Sequence, residues 1–165
     1  MREIEATGRA WLSLGSNLGD RRLHLSQALD SLATHPQCRL FDVSALYETD
    51  PVGDVPQDDF FNLCAVIGTS LAPESLLSLC QSIEAAHLRE RRIHWGPRTL
   101  DIDILMMDVE HDSPTLTLPH PHMHEREFVL RPLADLSPAP RATFEIPTGT
   151  SEAVRLIDAK GWYSR

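Results

Sequence analysis

Lysine is almost missing from this chain of 165 residues: Lys160 stands alone beside 14 arginines. A phosphate site here must therefore rely on planar guanidinium forks or backbone amides rather than on an ammonium. Positive charge is scarce as well. With 24 acidic against 15 basic residues the formal net charge is -9, a field that attracts neither nucleic acid nor anionic membrane. Cysteine is limited to Cys38, Cys64 and Cys80, an odd number, widely spaced in apolar surroundings. That usage fits reduced core thiols in a cytoplasmic protein better than a disulfide framework or a zinc site. No stretch approaches the roughly 18 apolar residues of a membrane span, and the polar first nine residues contain no apolar signal core. Internal repeats and low-complexity segments are absent too. A chain of this length makes one domain, here expected over residues 1–165, with about two-thirds of its unfolded surface buried.

Hydrophobic periodicity supplies the elements. A short buried strand is expected over 10–14, a turn over 15–20, and a helix over 20–33 with Asp20 as N-cap and Leu25, Ala28, Leu29 and Leu32 as its apolar stripe. A second strand covers 39–47. Residues 50–59 hold two Pro, one Gly and four Asp, too broken for regular structure and long enough to be functional. A third strand spans 60–69. Pro73 suits the first turn of a helix reaching about residue 87, with Leu76, Leu77, Cys80 and Ile83 on one face. A fourth strand follows over 99–107. The order β-α-β-β-α-β is that of a ferredoxin-like α+β fold. Beyond it the chain is punctuated by proline up to Pro147, and a short helix is expected over 151–160.

The run Trp95-Gly96-Pro97-Arg98-Thr99-Leu100-Asp101-Ile102-Asp103 carries the chemistry. Leu100, Ile102 and Ile104 share one face of the strand, so Asp101 and Asp103 share the other. Residues two apart on a strand lie roughly 6 to 7 Å apart, a span over which two carboxylates can bridge divalent ions about 3.5 to 4 Å apart. Mg²⁺ suits such oxygen ligands. Arg89, Arg91, Arg92 and Arg98 crowd the approach, as a polyphosphate site requires. Taken alone, each feature also describes a solvated surface. His120, His122 and His124 alternate like metal ligands, but Pro119 and Pro121 interrupt them and no cysteine completes a zinc site. Residues 15–20 lack the Gly-Lys-Ser/Thr ending of a phosphate loop and read as a structural turn.

From about Trp11 to Pro138 the chain resembles the 6-hydroxymethyl-7,8-dihydropterin pyrophosphokinases of folate biosynthesis. The resemblance rests on Leu14-Gly15-Ser16-Asn17-Leu18-Gly19-Asp20, on Phe61-Asn62, on Trp95 through Asp103, on Leu118-Pro119-His120-Pro121, and on the spacing of Arg126, Phe128, Leu130, Pro132 and Leu133. It implies transfer of the terminal diphosphate of ATP to a pterin hydroxymethyl group with release of AMP. The implied fold is a three-layer α/β/α sandwich on a ferredoxin-like core with a C-terminal extension. A cytoplasmic monomer is expected, with ATP and the pterin as its ligands and two Mg²⁺ ions held by Asp101 and Asp103.

Arg89, Arg98, Asp101 and Asp103 become the catalytic set by this resemblance. Thr49, Val52, Gly53, Phe60, Asn62, Trp95 and Phe128 become the pterin set, with Asn62 reading the pterin edge between Phe60 and Phe128. Gln81, Glu84, Arg91, Trp95, Arg98, Ile104, His120 and Arg126 become the ATP set. Two departures stand out: Leu88 replaces a frequent Gly before the first loop arginine, and Asp50 stands where some relatives have Pro. Residues 88–98 are expected to act as a lid that closes after ATP binds, with Trp95 over the site. A metal-dependent phosphohydrolase could use the same Asp-x-Asp strand, but it would need no pterin pocket.

Overall fold

The computed structural model describes residues 8–87, 99–140 and 153–164. In chain order the elements are β1 (Gly8–Ser16), α1 (Arg21–Thr34), β2 (Cys38–Val43), β3 (Leu46–Thr49), β4 (Phe60–Thr69) and α2 (Pro73–Ala86). They are followed by β5 (Asp101–Met107), the two-residue strands β6 (His111–Asp112) and β7 (Thr117–Leu118), a 3-10 turn at Met123–Glu125, α3 (Glu127–Leu133) and β8 (Val154–Asp158). Asp20 caps α1 as expected, its carboxylate accepting from the Leu23 N–H at 3.1 Å. Such a cap is worth about 1 kcal/mol. Pro73 opens α2, where its missing N–H costs nothing.

The main sheet has six strands in the order β5-β1-β4-β3-β8, with β2 paired to the remaining half of β4, and every pairing is antiparallel. Alternation along the strands decides which side each residue serves. Leu12 and Leu14 of β1, Leu63, Ala65 and Ile67 of β4, and Ile102 and Ile104 of β5 pack under Leu25, Leu29 and Leu32 of α1 and Leu76, Cys80 and Ile83 of α2. Their neighbours face the other way. Trp11, Cys64, Val66 and Leu105 meet Met123, Val129, Leu133 and Leu136. Helices thus cover both sides of the sheet. All three cysteines are free and buried, and burial pushes each thiol pKa up.

Three expectations need correction. The first strand does not stop at Leu14: Gly15 and Ser16 continue β1 and pair with Asn62 and Phe61, so the turn is confined to the residues before Arg21. The strand expected over 39–47 divides at Ser44 and Ala45, because the Ser44 hydroxyl accepts the Cys64 N–H at 2.9 Å and donates to the Ala45 carbonyl at 2.7 Å. A side chain there replaces a ladder rung. The helix expected over 151–160 is instead β8. The outer edge of β3 offers unpaired backbone groups, and Val154, Arg155 and Leu156 fill it opposite Thr49, Glu48 and Tyr47. Ladder bonds plus burial of Val154 against Tyr47 and Phe128 override a marginal local helix pattern.

Candidate active site

On the side of the sheet away from α1 and α2, neighbouring strands align unlike residues in rows. Asp101 of β5 lies opposite Gly15 of β1, and Gly15 lies opposite Asn62 of β4. One row further along come Asp103, Ser13 and Cys64. Strands are about 4.8 Å apart, so roughly 10 Å separates the Asp101 and Asn62 backbones. Between them stands a residue without a side chain. A Cβ placed on Gly15 would sit 2.5 Å from Asn62 Oδ1 and 3.5 Å from Phe60 Cδ1. Glycine here is a requirement of close approach.

Asn62 is only 4% exposed, and its Nδ2 donates to Thr49 Oγ1 at 2.6 Å, which aims the amide oxygen toward the gap over Gly15. Phe60 shares the side of β4 that carries Asn62. Phe128 in the first turn of α3 packs against both apolar clusters of that side. The end of α3 is fastened by Asp135, which accepts from the Tyr47 hydroxyl at 2.6 Å and the Ala45 N–H at 3.2 Å. Burial, reinforced by Asp135, pushes the Tyr47 pKa up, so the phenol stays a donor. Val52 and Gly53 lie exposed on the 50–59 loop, with Gly53 at φ 93°.

The nucleotide candidates gather along the outer edge of β5. Glu84 is 8% exposed, and its Oε2 accepts the Ile102 N–H at 3.0 Å, satisfying an outward-pointing donor of an edge strand. Its carboxylate therefore fastens α2 to the strand that carries Asp101 and Asp103. Ile104 is 3% exposed with its side chain in the core, so only its backbone faces the edge. Just beyond, the His120 N–H donates to the Leu105 carbonyl at 2.7 Å. Burial first, then Arg126 and His122, pull the His120 pKa down to about 4. The imidazole is neutral at pH 7, with Nδ1 accepting the His122 N–H at 3.1 Å and Nε2–H left as donor. The Arg126 guanidinium lies 5.9 Å from the Phe128 ring centroid, and Gln81 is exposed on α2.

Asp101 is half-buried and Asp103 exposed. Two adjacent carboxylates suit a hard cation that keeps several waters and takes phosphate oxygens for the rest of its shell. His122 and His124 pair with Glu125 at 3.2 and 3.7 Å, and among the described residues no group of three or more His, Cys, Asp or Glu side chains could hold a metal. Arg89, Arg91, Trp95, Arg98 and the expected 88–98 lid lie outside the described residues.

Sequence reasoning passed over several residues. Gly15 reads as part of a turn, although a glycine at the end of an apolar strand run also marks close backbone approach. Arg21 stacks on Phe61, 3.7 Å from its centroid, and donates to Glu48 and to the Asp59 carbonyl. Tyr47, Asp135 and Arg155 act over sequence separations that no local pattern reveals.

Comparison with known proteins agrees with this layout. A solved Plasmodium falciparum HPPK-DHPS with pterin and p-hydroxybenzoate matches with a TM-score of 0.63 at 20% identity, over 87% of this chain and 42% of that one. At that identity the likeness concerns the fold. The 2-amino-4-hydroxy-6-hydroxymethyldihydropteridine pyrophosphokinase of Bacillus subtilis is 48% identical over 128 residues, 77% of either protein. The bifunctional protein FolKE of Lactococcus lactis is 46% identical over 127 residues, and the match spans 36% of that longer protein. The model of one family matches residues 11–138, a span that contains the Asp101–Gly15–Asn62 row, Glu84, His120 and Phe128. The chain belongs to the 7,8-dihydro-6-hydroxymethylpterin-pyrophosphokinase (HPPK) family.

Proposed function

We propose that this chain transfers diphosphate from ATP to 6-hydroxymethyl-7,8-dihydropterin, giving the pterin diphosphate and AMP in folate biosynthesis. The observation that carries this reading is the row in which a carboxylate and a held carboxamide face each other across the vacancy at Gly15. A flat heterocycle whose edge mixes donors and acceptors suits an amide, which offers both. Phe60 and Phe128 provide aromatic surface beside it. The hydroxymethyl group of a ring held at Asn62 would then reach toward Asp101 and Asp103.

Asp101 and Asp103 would hold Mg²⁺, two ions in this reading, which supplies charge neutralisation for the phosphates. The chain's own groups do the rest. Glu84 fixes β5, the neutral His120 presents an Nε2 donor, and Arg126 faces the nucleotide. Arg89, Arg91 and Arg98 add cationic contacts, and Trp95 closes over the site. We also read the β5-β1-β4-β3 order with helices on both sides as the ferredoxin-like layout, and the chain as one domain working as a cytoplasmic monomer. Antiparallel pairing throughout supports the first, and three buried free thiols support the cytoplasm.

The test is product analysis with Mg-ATP. AMP and pterin diphosphate should form together and only when the hydroxymethylpterin is present. AMP or phosphate released at equal rate without it would mark a phosphohydrolase instead.

A further inference from the structure

We propose that Arg155 of β8 is a positioning residue for the pterin pocket, its guanidinium tying the two ends of the 50–59 loop together. The proposal rests on the assignment of Thr49, Val52, Gly53 and Asn62 to pterin. Arg155 Nη1 lies 2.9 Å from Asp50 Oδ1, and Nη2 lies 2.9 Å from Asp59 Oδ2 and 3.8 Å from Glu48 Oε1. Nine positions separate Asp50 from Asp59, yet one planar fork meets both. The backbone adds a tie, since the Asp50 N–H donates to the Ala153 carbonyl at 3.3 Å. At the far end Asn17 Nδ2 holds Gln57 Oε1 at 2.9 Å and the Asp58 carbonyl at 2.8 Å, and Arg21 holds the Asp59 carbonyl at 2.8 Å. The attachments thus sit at the two ends of the loop, and its tip presents Val52, 46% exposed, beside Gly53 at φ 93°.

This neck is next to the pterin residues and across the sheet from Glu84, Ile104 and His120. The loop starts directly after Thr49, which holds the Asn62 amide, and ends directly before Phe60. Of the nucleotide candidates, Glu84, Ile104 and His120 lie at β5, at the opposite edge of the sheet from β8, while Arg126 stands over Phe128. Single exposed ion pairs contribute little. Here three carboxylates meet one cation, and without it Asp50 and Asp59 would repel each other across the neck, while Glu48 keeps Arg21 at 3.1 Å. A lysine replaces the fork only in part, because an ammonium is a point charge. The segment that supplies the clamp lies beyond residue 138, where the family match ends. Its partner Asp50 stands where some relatives have Pro.

Arg155→Met, Arg155→Lys, Asp50→Asn and Asn62→Ala in the full chain test the idea, each read by steady-state kinetics and by hydrogen exchange of the 50–59 amides. Arg155→Met should speed exchange at the Asp50 amide, which is bonded to the Ala153 carbonyl, and at residues 52–55. If it leaves the loop correctly placed about a tenth of the time, the pterin KM should rise about tenfold. Turnover number and KM for ATP should stay within about twofold, since the clamp touches neither. Arg155→Lys should recover part of the loss, and Asp50→Asn should give a smaller effect of the same kind. Raised salt should increase the wild-type pterin KM and leave that of Arg155→Met unchanged. Unchanged exchange and unchanged pterin KM in Arg155→Met, with Asn62→Ala weakening pterin, would overturn the clamp. If Asn62→Ala leaves pterin binding intact, the pterin assignment itself fails, and loop exchange in Arg155→Met then decides the clamp alone.

Discussion

At the level of the candidate site, the two sides of strands β1, β4 and β5 differ as much as two different proteins, although their residues alternate along the same backbones. Under α1 and α2 the sheet shows Leu12, Leu14, Leu63, Ala65, Ile67, Ile102 and Ile104, none of them more than 5% exposed. The opposite side, at the same level, shows Asp101, Asp103, Ser13, Gly15 and Asn62. The first side tolerates no gap, and the second is organised around one. A period of two therefore lets a single antiparallel sheet keep its stability and its chemistry on separate residues, rigidly spaced by the same ladder.

That separation breaks if variants on one side produce the symptoms of the other. Leu63→Ala should lower unfolding free energy by about 2 to 5 kcal/mol, because the packed core beneath two helices cannot collapse into the cavity. KM values measured well below its denaturation midpoint should be unchanged. Asp101→Ala and Asp103→Ala should do the reverse, cutting turnover on the order of 10² to 10³ through lost stabilisation of phosphate charge. Their urea midpoints should match the parent chain, and wild-type turnover in either folded variant would move the site elsewhere.

Asn62→Ala sharpens the contrast, since it is a buried residue on the chemical side. Calorimetry should show pterin binding weakened by about 1 to 3 kcal/mol, while binding of an ATP analogue barely changes. Equal loss for both ligands would indicate general loosening. The smallest effect concerns pH. His120 has a folded pKa near 4 against 6.5 unfolded, so between those values the unfolded chain takes up a proton that the native chain refuses. Stability should be complete above about pH 6.5 and decline as pH falls toward 4. Glu74, held down to about 2 by Ser113, His111 and Thr115, acts in a separate window below 4.5. In His120→Asn the urea midpoint should therefore decline less in the upper window only, where His87, also shifted down by burial and by His24, keeps its own share.

Much of this arrangement was legible in the sequence where signals are local. Asp20 and Pro73 announced their helices, and the 60–69 strand has the expected bounds. The alternation after Thr99 by itself puts both aspartates on the side away from the core. What was not legible depends on distant partners. Ser44 interrupts a strand because a buried hydroxyl finds the Cys64 N–H. β8 forms because an open strand edge and three carboxylates await it, and α3 carries Pro132 at its next-to-last position, where a proline-rich segment suggested no helix. Glu84 also accepts from the Ile102 amide, a bond that no spacing rule foresees.

The three cysteines carry a practical consequence. Cys38, Cys64 and Cys80 are buried and free, and their raised pKa values leave almost no thiolate at neutral pH, the species that attacks maleimides and disulfides. The native chain is thus nearly silent toward thiol reagents while folded. A single thiol introduced at the exposed Asp54, on the tip of the 50–59 loop, would take up a fluorophore in a background that needs no cysteine removed. The fold supplies its own blank for following that loop by light.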